Sequence, residues 1–156
     1  MAKNFGKQFE LKFKEDWLRI SDSIIDRLYD TTAGYKSISQ ISDYIGYVFP
    51  NIFYLEVKSI HGNTFPFTNL TQYEKLKCRI NIPGVRVGVI IWFVDHGRVF
   101  YVPISTIKKM KEDNKKSVNV NKSIEEGYNI IEVPSTKKRI FCDSDYSVLL
   151  DLMDGE

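Results

Sequence analysis

The chain has few of the residues that build thiolate metal sites, disulfide frameworks or histidine-based catalytic centres. It contains two cysteines and two histidines in 156 residues. Cys78 and Cys142 lie far apart without metal-ligand spacing, so we expect two reduced, largely buried thiols. With only His61 and His96 present, a zinc site or a histidine triad has too few ligands to draw on.

Long hydrophobic runs are missing as well. No apolar stretch approaches the roughly 20 residues that cross a bilayer, and the N-terminal segment lacks the apolar core of a signal peptide. These observations predict a cytoplasmic protein without membrane association. Hydrophobic content of 43% and aromatic content of 13% indicate a globular chain, and the length fits a single domain over residues 1–156.

Charge of one sign does not dominate the chain. The net charge is +2, so binding to nucleic acid depends on how the basic residues are distributed. Lysines cluster over residues 108–116, and a second basic run covers residues 137–139. Either a solvated helix face and a turn, or a nucleic-acid surface, explains these two runs.

Hydrophobic spacing in the first half of the chain predicts a helix followed by a hairpin. Apolar residues at steps of three and four predict one long helix from about Phe5 to Leu28, with Glu10 in its N-terminal half. A small polar loop is expected over Thr31–Gln40. Strands predicted over residues 43–49 and 52–60, joined by a turn at Pro50-Asn51, form a largely buried antiparallel hairpin.

The second half predicts further strands and helices that complete an α+β sandwich. The expected elements are a helix over 69–80, a strand over Val85–Val94, a turn at Asp95-His96-Gly97, a strand over Val99–Val102, a lysine-rich helix from a Ser105 cap to about Asp113, a mobile loop over Asn114–Lys122, a peripheral hairpin of 128–133 and 139–141, and a short C-terminal helix from Asp143 or Ser144. This order predicts a mixed β-sheet flanked by helices.

One strand of this scheme carries charges where none are expected. Glu56 and Lys58 lie in the apolar run Phe53-Tyr-Leu-Glu-Val-Lys-Ser59. Side chains two residues apart on a strand point to the same face, so the carboxylate and the ammonium are neighbours. Desolvating both charges costs several kcal/mol unless something compensates them.

A metal ion would compensate this cost. Asp43, thirteen residues before Glu56, supplies a second carboxylate at the start of the preceding strand, and carboxylate oxygens are the ligands that Mg²⁺ prefers. The alternative is a structural Glu56–Lys58 pair on a strand, with Asp43 as a turn residue.

The motif Asp43…Glu56-Val57-Lys58 resembles the PD-(D/E)XK nuclease pattern, with a leading helix that carries Glu10. Several segments are more specifically similar to Holliday-junction resolvases of the RecU and archaeal Hjc type, over roughly residues 5–110. They are Phe5-Gly-Lys-Gln-Phe-Glu10, Ser42-Asp-Tyr-Ile-Gly46, Tyr54-Leu-Glu-Val-Lys-Ser59 and His61-Gly-Asn-Thr-Phe-Pro-Phe-Thr-Asn-Leu70, followed by Gln72. RecU carries a protruding stalk where residues 31–42 form only a short segment here, and residues beyond about 120 match less well.

The resemblance implies a restriction-endonuclease-like core with Mg²⁺ as cofactor and Mn²⁺ as an acceptable substitute. It implies catalytic roles for Asp43, Glu56, Lys58 and Glu10. It implies metal ligation by Asp43, Glu56, Glu10 and the carbonyl of Val57. It implies DNA contacts from Arg27, Lys36, Ser37, Ser39, Thr64 and Gln72.

The function implied by the resemblance is resolution of four-way junctions by paired phosphodiester hydrolysis during recombination. A homodimer is expected because a junction needs nicks in two opposed strands. The compact form resembles phage versions of the family, which would act in the cytoplasm of a bacterial host. Two alternatives remain: a nuclease of the same fold that acts on other DNA in restriction or repair, and a junction-binding accessory protein that does not cleave.

Overall fold

A six-stranded mixed sheet forms the centre of the computed structural model, which describes residues 5–29, 31–33, 36–38 and 40–153. In chain order the helices and strands are α1 (Phe5–Trp17), β1 (Ser23–Arg27), β2 (Thr31–Ala33), β3 (Lys36–Ile38), β4 (Tyr44–Val48), β5 (Asn51–Ile60), β6 (Thr64–Pro66), α2 (Tyr73–Lys77), β7 (Val85–Phe93), β8 (Arg98–Pro103), α3 (Ile104–Glu112), β9 (Ser117–Asn119), α4 (Lys122–Glu125), β10 (Ile131–Val133), β11 (Ser135–Lys137) and β12 (Cys142–Ser144). Short 3₁₀ segments cover Phe67–Asn69, Val94–His96 and Tyr146–Met153.

The main sheet has the strand order β1-β4-β5-β7-β8-β10. β5 is antiparallel to β4 and parallel to β7, and the remaining neighbours are antiparallel. The predicted hairpin over 43–49 and 52–60 is therefore present as β4 and β5, and the predicted strands around Val85–Val94 and Val99–Val102 are present as β7 and β8. The expected α+β fold with a mixed sheet is confirmed.

Helix α1 covers one face of the sheet with aromatic side chains. Phe13 and Trp17 are fully buried, and the ring of Trp17 lies edge-on to Phe53 of β5 at 5.2 Å between centroids. The close approach depends on Gly46 of β4, because a Cβ there would lie 2.9 Å from a ring carbon of Trp17. Phe53, Leu55 and Val57, the odd-numbered positions of β5, therefore point toward α1.

The opposite face is covered by α2 and α3. Val89 and Ile91 of β7 pack there with Leu76 of α2 and Ile107 of α3, all of them fully buried. Lys108 and Lys109 of α3 point away from this core and pair with acidic residues one turn later, Lys108 with Glu112 at 3.7 Å and Lys109 with Asp113 at 3.0 Å. This part of the first lysine run is thus a solvated helix face.

The prediction of one long helix from Phe5 to Leu28 is correct for its first half and wrong beyond Trp17. α1 ends at Trp17, and residues 23–27 form the edge strand β1. Asp22 adopts a positive φ of 57°, which an α-helix cannot accommodate. Ile25 then supplies a buried position in the sheet, so pairing with β4 overrides the helical spacing of the sequence.

Other boundaries also differ from the predictions. The expected loops contain short strands: β2 pairs with β3, and β9 pairs with β6. The helix expected over 69–80 is reduced to α2, and α3 begins after Pro103 without a side-chain cap, so Ser105 is not its cap. β10 joins the main sheet while β11 pairs with β12, and the C-terminal segment is 3₁₀ rather than α-helical.

The two cysteines are free thiols, as expected, although only Cys142 is buried and Cys78 is exposed. In the described part of the chain, no helix is both long and apolar enough to cross a membrane.

Candidate active site

The candidate site lies where β4 ends and β5 continues. β4 pairs with residues 51–55 of β5, whereas β7 pairs with residues 52–60. Glu56 and Lys58 therefore lie beyond Leu55, the partner of Tyr44, which is the first residue of β4. At this point the Asp43 side chain replaces the β4 backbone as the hydrogen-bonding partner of β5, because its Oδ2 accepts a hydrogen bond of 3.0 Å from the Val57 amide.

This geometry brings Asp43, Glu56 and Lys58 together. The Lys58 ammonium lies 3.4 Å from Glu56 Oε2 and 3.8 Å from Asp43 Oδ2. The carboxyl groups of Asp43 and Glu56 are close enough for each to shift the pKa of the other. The Glu56 side chain is only 3% exposed, whereas 32% of the Lys58 side chain is exposed, so the ammonium faces the side from which a substrate would approach.

Arg27 on β1 joins this cluster to helix α1. Its Nη1 donates to the backbone oxygen of Asp43 at 3.0 Å and lies 3.3 Å from Asp43 Oδ1. Its Nη2 lies 3.6 Å from Glu10 Oε1. Glu10 thus reaches the site from α1, and the link between Glu10 and Asp43 passes through the guanidinium.

Burial and mutual repulsion perturb both central carboxyl groups. Burial, together with the hydrogen bond and the charge of the neighbouring Asp43, raises the pKa of Glu56 to about 8. Burial also acts to raise the pKa of Asp43, but the hydrogen bond from Glu56, the Lys58 charge, the Val57 amide and Arg27 together lower it below its usual range. Glu56 therefore keeps a proton at neutral pH, and Asp43 carries the negative charge.

The pKa of Glu10 is raised by burial, an effect that the Arg27 charge opposes. Tyr44, which was not predicted as a site residue, supports the same region. Its hydroxyl donates to the Glu10 backbone oxygen at 3.2 Å, and the Arg27 guanidinium lies 5.4 Å from its ring centroid. Burial and the Glu10 charge raise the Tyr44 pKa to about 12, so the hydroxyl remains a donor. Its only sequence signal is its place beside Asp43.

The donor set of the site is suited to a hard divalent cation. Asp43 and Glu56 supply carboxylate oxygens, and the pKa of about 8 at Glu56 marks a place where added positive charge is favourable. Within the described ranges, no three His, Cys, Asp or Glu residues are arranged to hold one metal ion. Mg²⁺ commonly uses one or two carboxylates and keeps several waters, so the pair of Asp43 and Glu56 fits this ion.

The predicted DNA-binding residues that the structure describes lie on several different elements. Thr64 is the exposed first residue of β6, and Gln72 is half-buried directly before α2 and makes no side-chain cap. Lys36 and Ser37 lie on β3. Ser39 lies outside the described residues. Among the predicted DNA-binding residues whose side chains the structure describes, Arg27 alone contacts the carboxylates.

The fold and this cluster define a protein of the restriction-endonuclease-like class. A family model described as recombination protein U matches residues 19–140, well over half of the chain. The chain belongs to this family, a family of Holliday-junction resolvases, as the sequence resemblance predicted. The match extends beyond residue 110, where the resemblance was weaker, and does not include α1 with Glu10.

A solved structure of similar fold is that of Hjc, a Holliday junction resolvase from the archaeal hyperthermophile Archaeoglobus fulgidus. The TM-score is 0.57 at 12% sequence identity, and the alignment covers 79% of this chain and 94% of the Hjc chain. No curated protein matches the sequence. The likeness to Hjc establishes the fold, and family membership establishes a protein of nuclease type that acts in recombination.

Proposed function

We propose that this protein is a metal-dependent endonuclease that resolves four-way DNA junctions by paired phosphodiester hydrolysis. The observation that carries the proposal is the meeting of Asp43, Glu56 and Lys58 at the end of β4. A carboxyl group with a raised pKa, a charged carboxylate and an ammonium in one partly exposed cluster are typical of catalytic rather than structural sites.

In this proposal Asp43 and Glu56 hold Mg²⁺ or Mn²⁺, with Glu10 and the Val57 carbonyl as further ligands. When bound there, the ion would lower the pKa of a coordinated water and offset negative charge at the scissile phosphate. Lys58, with its ammonium between the two carboxylates, orients the attacking water and stabilises the negative charge of the transition state. Hydrolysis leaves a 5′-phosphate and a 3′-hydroxyl.

Arg27 has two roles in the proposal. It contacts DNA, and it also holds Asp43 and Glu10 in place through its guanidinium. Further DNA contacts come from Lys36, Ser37, Ser39, Thr64 and Gln72. A charged residue that contacts a phosphate releases counterions from the DNA. Neutralising Arg27 or Lys36 should therefore reduce the salt dependence of DNA binding.

A homodimer is part of the proposal because two opposed strands must be cut. Exposed aromatic side chains at the tip of the β4–β5 hairpin support it, since Tyr47 is 39% and Phe49 is 78% exposed. The tip lies at the far end of β5 from Lys58, so pairing there leaves the site open. Light scattering should report twice the monomer mass. Action on recombining DNA would place the protein in the cytoplasm.

The decisive experiment compares a labelled four-way junction with a matched linear duplex, each with Mg²⁺ and with EDTA. We expect Mg²⁺-dependent symmetrical nicks in the junction and little cutting of the duplex. Asp43→Asn should abolish cleavage without preventing junction binding. Asp26→Asn, which neutralises an exposed carboxylate on β1, is the matched control and should cleave normally.

Each alternative predicts a different result. Equal cutting of duplex and junction would indicate a nuclease for other DNA. Junction binding without cleavage by the unmodified chain would indicate an accessory protein. Unchanged cleavage by Asp43→Asn would show that the chemistry occurs elsewhere.

A further inference from the structure

An arginine outside the carboxylate cluster lies over an aromatic ring on the same face of β5. Tyr54 precedes Glu56 by two residues, so the two side chains point to the same face of the sheet. The guanidinium carbon of Arg79 lies 5.4 Å from the centroid of the Tyr54 ring. Arg79 lies two residues beyond the end of α2, which packs against this face. The Arg79 cation therefore lies beside Tyr54, the neighbour of Glu56 on this face of β5.

The charge of Arg79 has no carboxylate partner in the described part of the chain. Its Nη1 donates to the backbone oxygen of Lys75 at 3.1 Å, which uses one of the five N–H groups of a guanidinium. Arg27 and Arg98, in contrast, pair with Glu10 and Glu132. Arg79 therefore has donors and charge available for an anion.

The spacing between Tyr54 and Glu56 suits a nucleic-acid strand. Residues two apart on a strand are separated by about 6.6 Å. A DNA strand rises about 3.4 Å per nucleotide. A strand that runs along β5 with its cleaved phosphate at Glu56 and Lys58 would therefore bring a phosphate one or two nucleotides away to Arg79.

We propose that Arg79, positioned by the ring of Tyr54, is a phosphate-binding residue that holds the DNA strand next to the cleaved bond. The inference rests on the proposed function, since it assumes that DNA reaches Glu56 and Lys58. Arginine suits this role because its planar guanidinium stacks on an aromatic ring and still presents two N–H groups to phosphate oxygens. Tyr54 limits the movement of that guanidinium before DNA binds.

A purely structural role for Arg79 predicts different behaviour. Its bond to the Lys75 carbonyl could serve only to cap the end of α2. In that case Arg79→Gln would lower the unfolding midpoint and leave the salt dependence of DNA binding unchanged. The salt dependence therefore separates the two roles.

The test measures binding of a labelled four-way junction by fluorescence anisotropy in EDTA across a salt series. The variants are Arg79→Gln, Arg79→Lys, Tyr54→Leu and Tyr54→Phe. Arg19→Gln removes the same charge from an exposed side chain between α1 and β1, outside both basic runs, and is the matched control. Thermal unfolding of each variant verifies that it is folded.

We expect Arg79→Gln to weaken binding about tenfold and to reduce the slope of log K against log salt by about 0.9, the value for one phosphate contact. Arg79→Lys should keep the slope, because it keeps the charge. Tyr54→Leu should weaken binding less than Arg79→Gln, and Tyr54→Phe should behave as the wild type. Arg19→Gln should leave the slope nearly unchanged.

A second measurement locates the phosphate. Junctions carrying one neutral methylphosphonate within two nucleotides of the cleaved bond should bind the wild type about tenfold more weakly at one position. The Arg79→Gln variant should bind this modified junction as tightly as it binds the unmodified one, because the contact is already missing. Additive losses at every position would overturn the proposal.

The outcome for Arg79 is separable from the outcome for the proposed function. If the wild type binds and cleaves junctions but Arg79→Gln has the wild-type slope, only the role of Arg79 is wrong. A wild type that neither binds nor cleaves DNA refutes the proposed function, and with it the premise of this inference.

Discussion

Glu56 should make the metal-free protein less stable as the pH rises. Its pKa is about 8 in the folded protein and 4.5 as the ordinary value. Between these two values the folded chain holds a proton that the unfolded chain has lost, so each pH unit lowers the free energy of unfolding by about 1.4 kcal/mol. From pH 5 to pH 8 the loss amounts to about 4 kcal/mol. The pKa of Asp43 is lowered from its ordinary value of 3.8, so Asp43 changes the free energy of unfolding only below about that pH and does not contribute between pH 5 and pH 8.

Glu56→Gln isolates this effect, because glutamine resembles the protonated carboxyl group but cannot ionise. Urea unfolding in EDTA should give the two chains similar stability near pH 5. Near pH 8 the variant should be more stable by about 4 kcal/mol. Every other titrating group is shared by both chains, so the difference between their curves belongs to position 56. Parallel curves over this range would refute the buried, protonated Glu56.

The metal provides the second half of the same test. A bound divalent cation requires an ionised Glu56, so binding near pH 7 should release about one proton and should tighten about tenfold per pH unit below pH 8. Titration calorimetry in buffers of different ionisation enthalpy measures the released proton. Mg²⁺ should restore the stability of the wild type at pH 8 and have little effect on Glu56→Gln. Proton release that is absent in the wild type would place the metal away from Glu56.

Three further predictions concern single contacts. Arg27→Gln should lower cleavage about 10- to 100-fold while the chain stays folded, as is usual when a residue that orients metal ligands is lost; wild-type rates would contradict this role. Gly88→Ala should cost about 1–3 kcal/mol in urea unfolding, because a methyl group there runs into the Tyr101 ring. Lys111→Met should cost about 1 kcal/mol by removing an ammonium 3.7 Å from the Tyr73 ring centroid; an unchanged denaturation midpoint would show that this contact contributes nothing.

Strong local patterns in the sequence predicted the elements that form the centre of the sheet. The hairpin of β4 and β5 and the buried strand β7 were evident because runs of β-branched and aromatic residues were bounded by turn residues. The first part of α1 followed from its helical spacing for the same reason. The local sequence of these elements is enough to predict their secondary structure, and tertiary contacts favour the same structure.

The errors arose where tertiary pairing decides the structure. Ile24 continues the helical spacing of α1, yet it lies in the edge strand β1 because β4 offers a pairing partner. Residues 117–119 read as a polar loop, although the buried Val118, at the centre of β9, pairs there with Phe65 of β6. A three-residue strand has too few positions to show a period, so its partner must be known before it can be recognised.

The candidate site shows the same division between local and tertiary information. The sequence placed Glu56 and Lys58 on one face because alternation along a strand is local. It could not show that β4 stops opposite Leu55, which lets the Asp43 side chain replace the strand and accept the Val57 amide. Nor could it show that Arg27, on a segment predicted to be helical, turns its guanidinium toward Glu10 and Asp43. Because β4 begins only at Tyr44, the space beside the rest of β5 is free, and two carboxylates and an ammonium meet there.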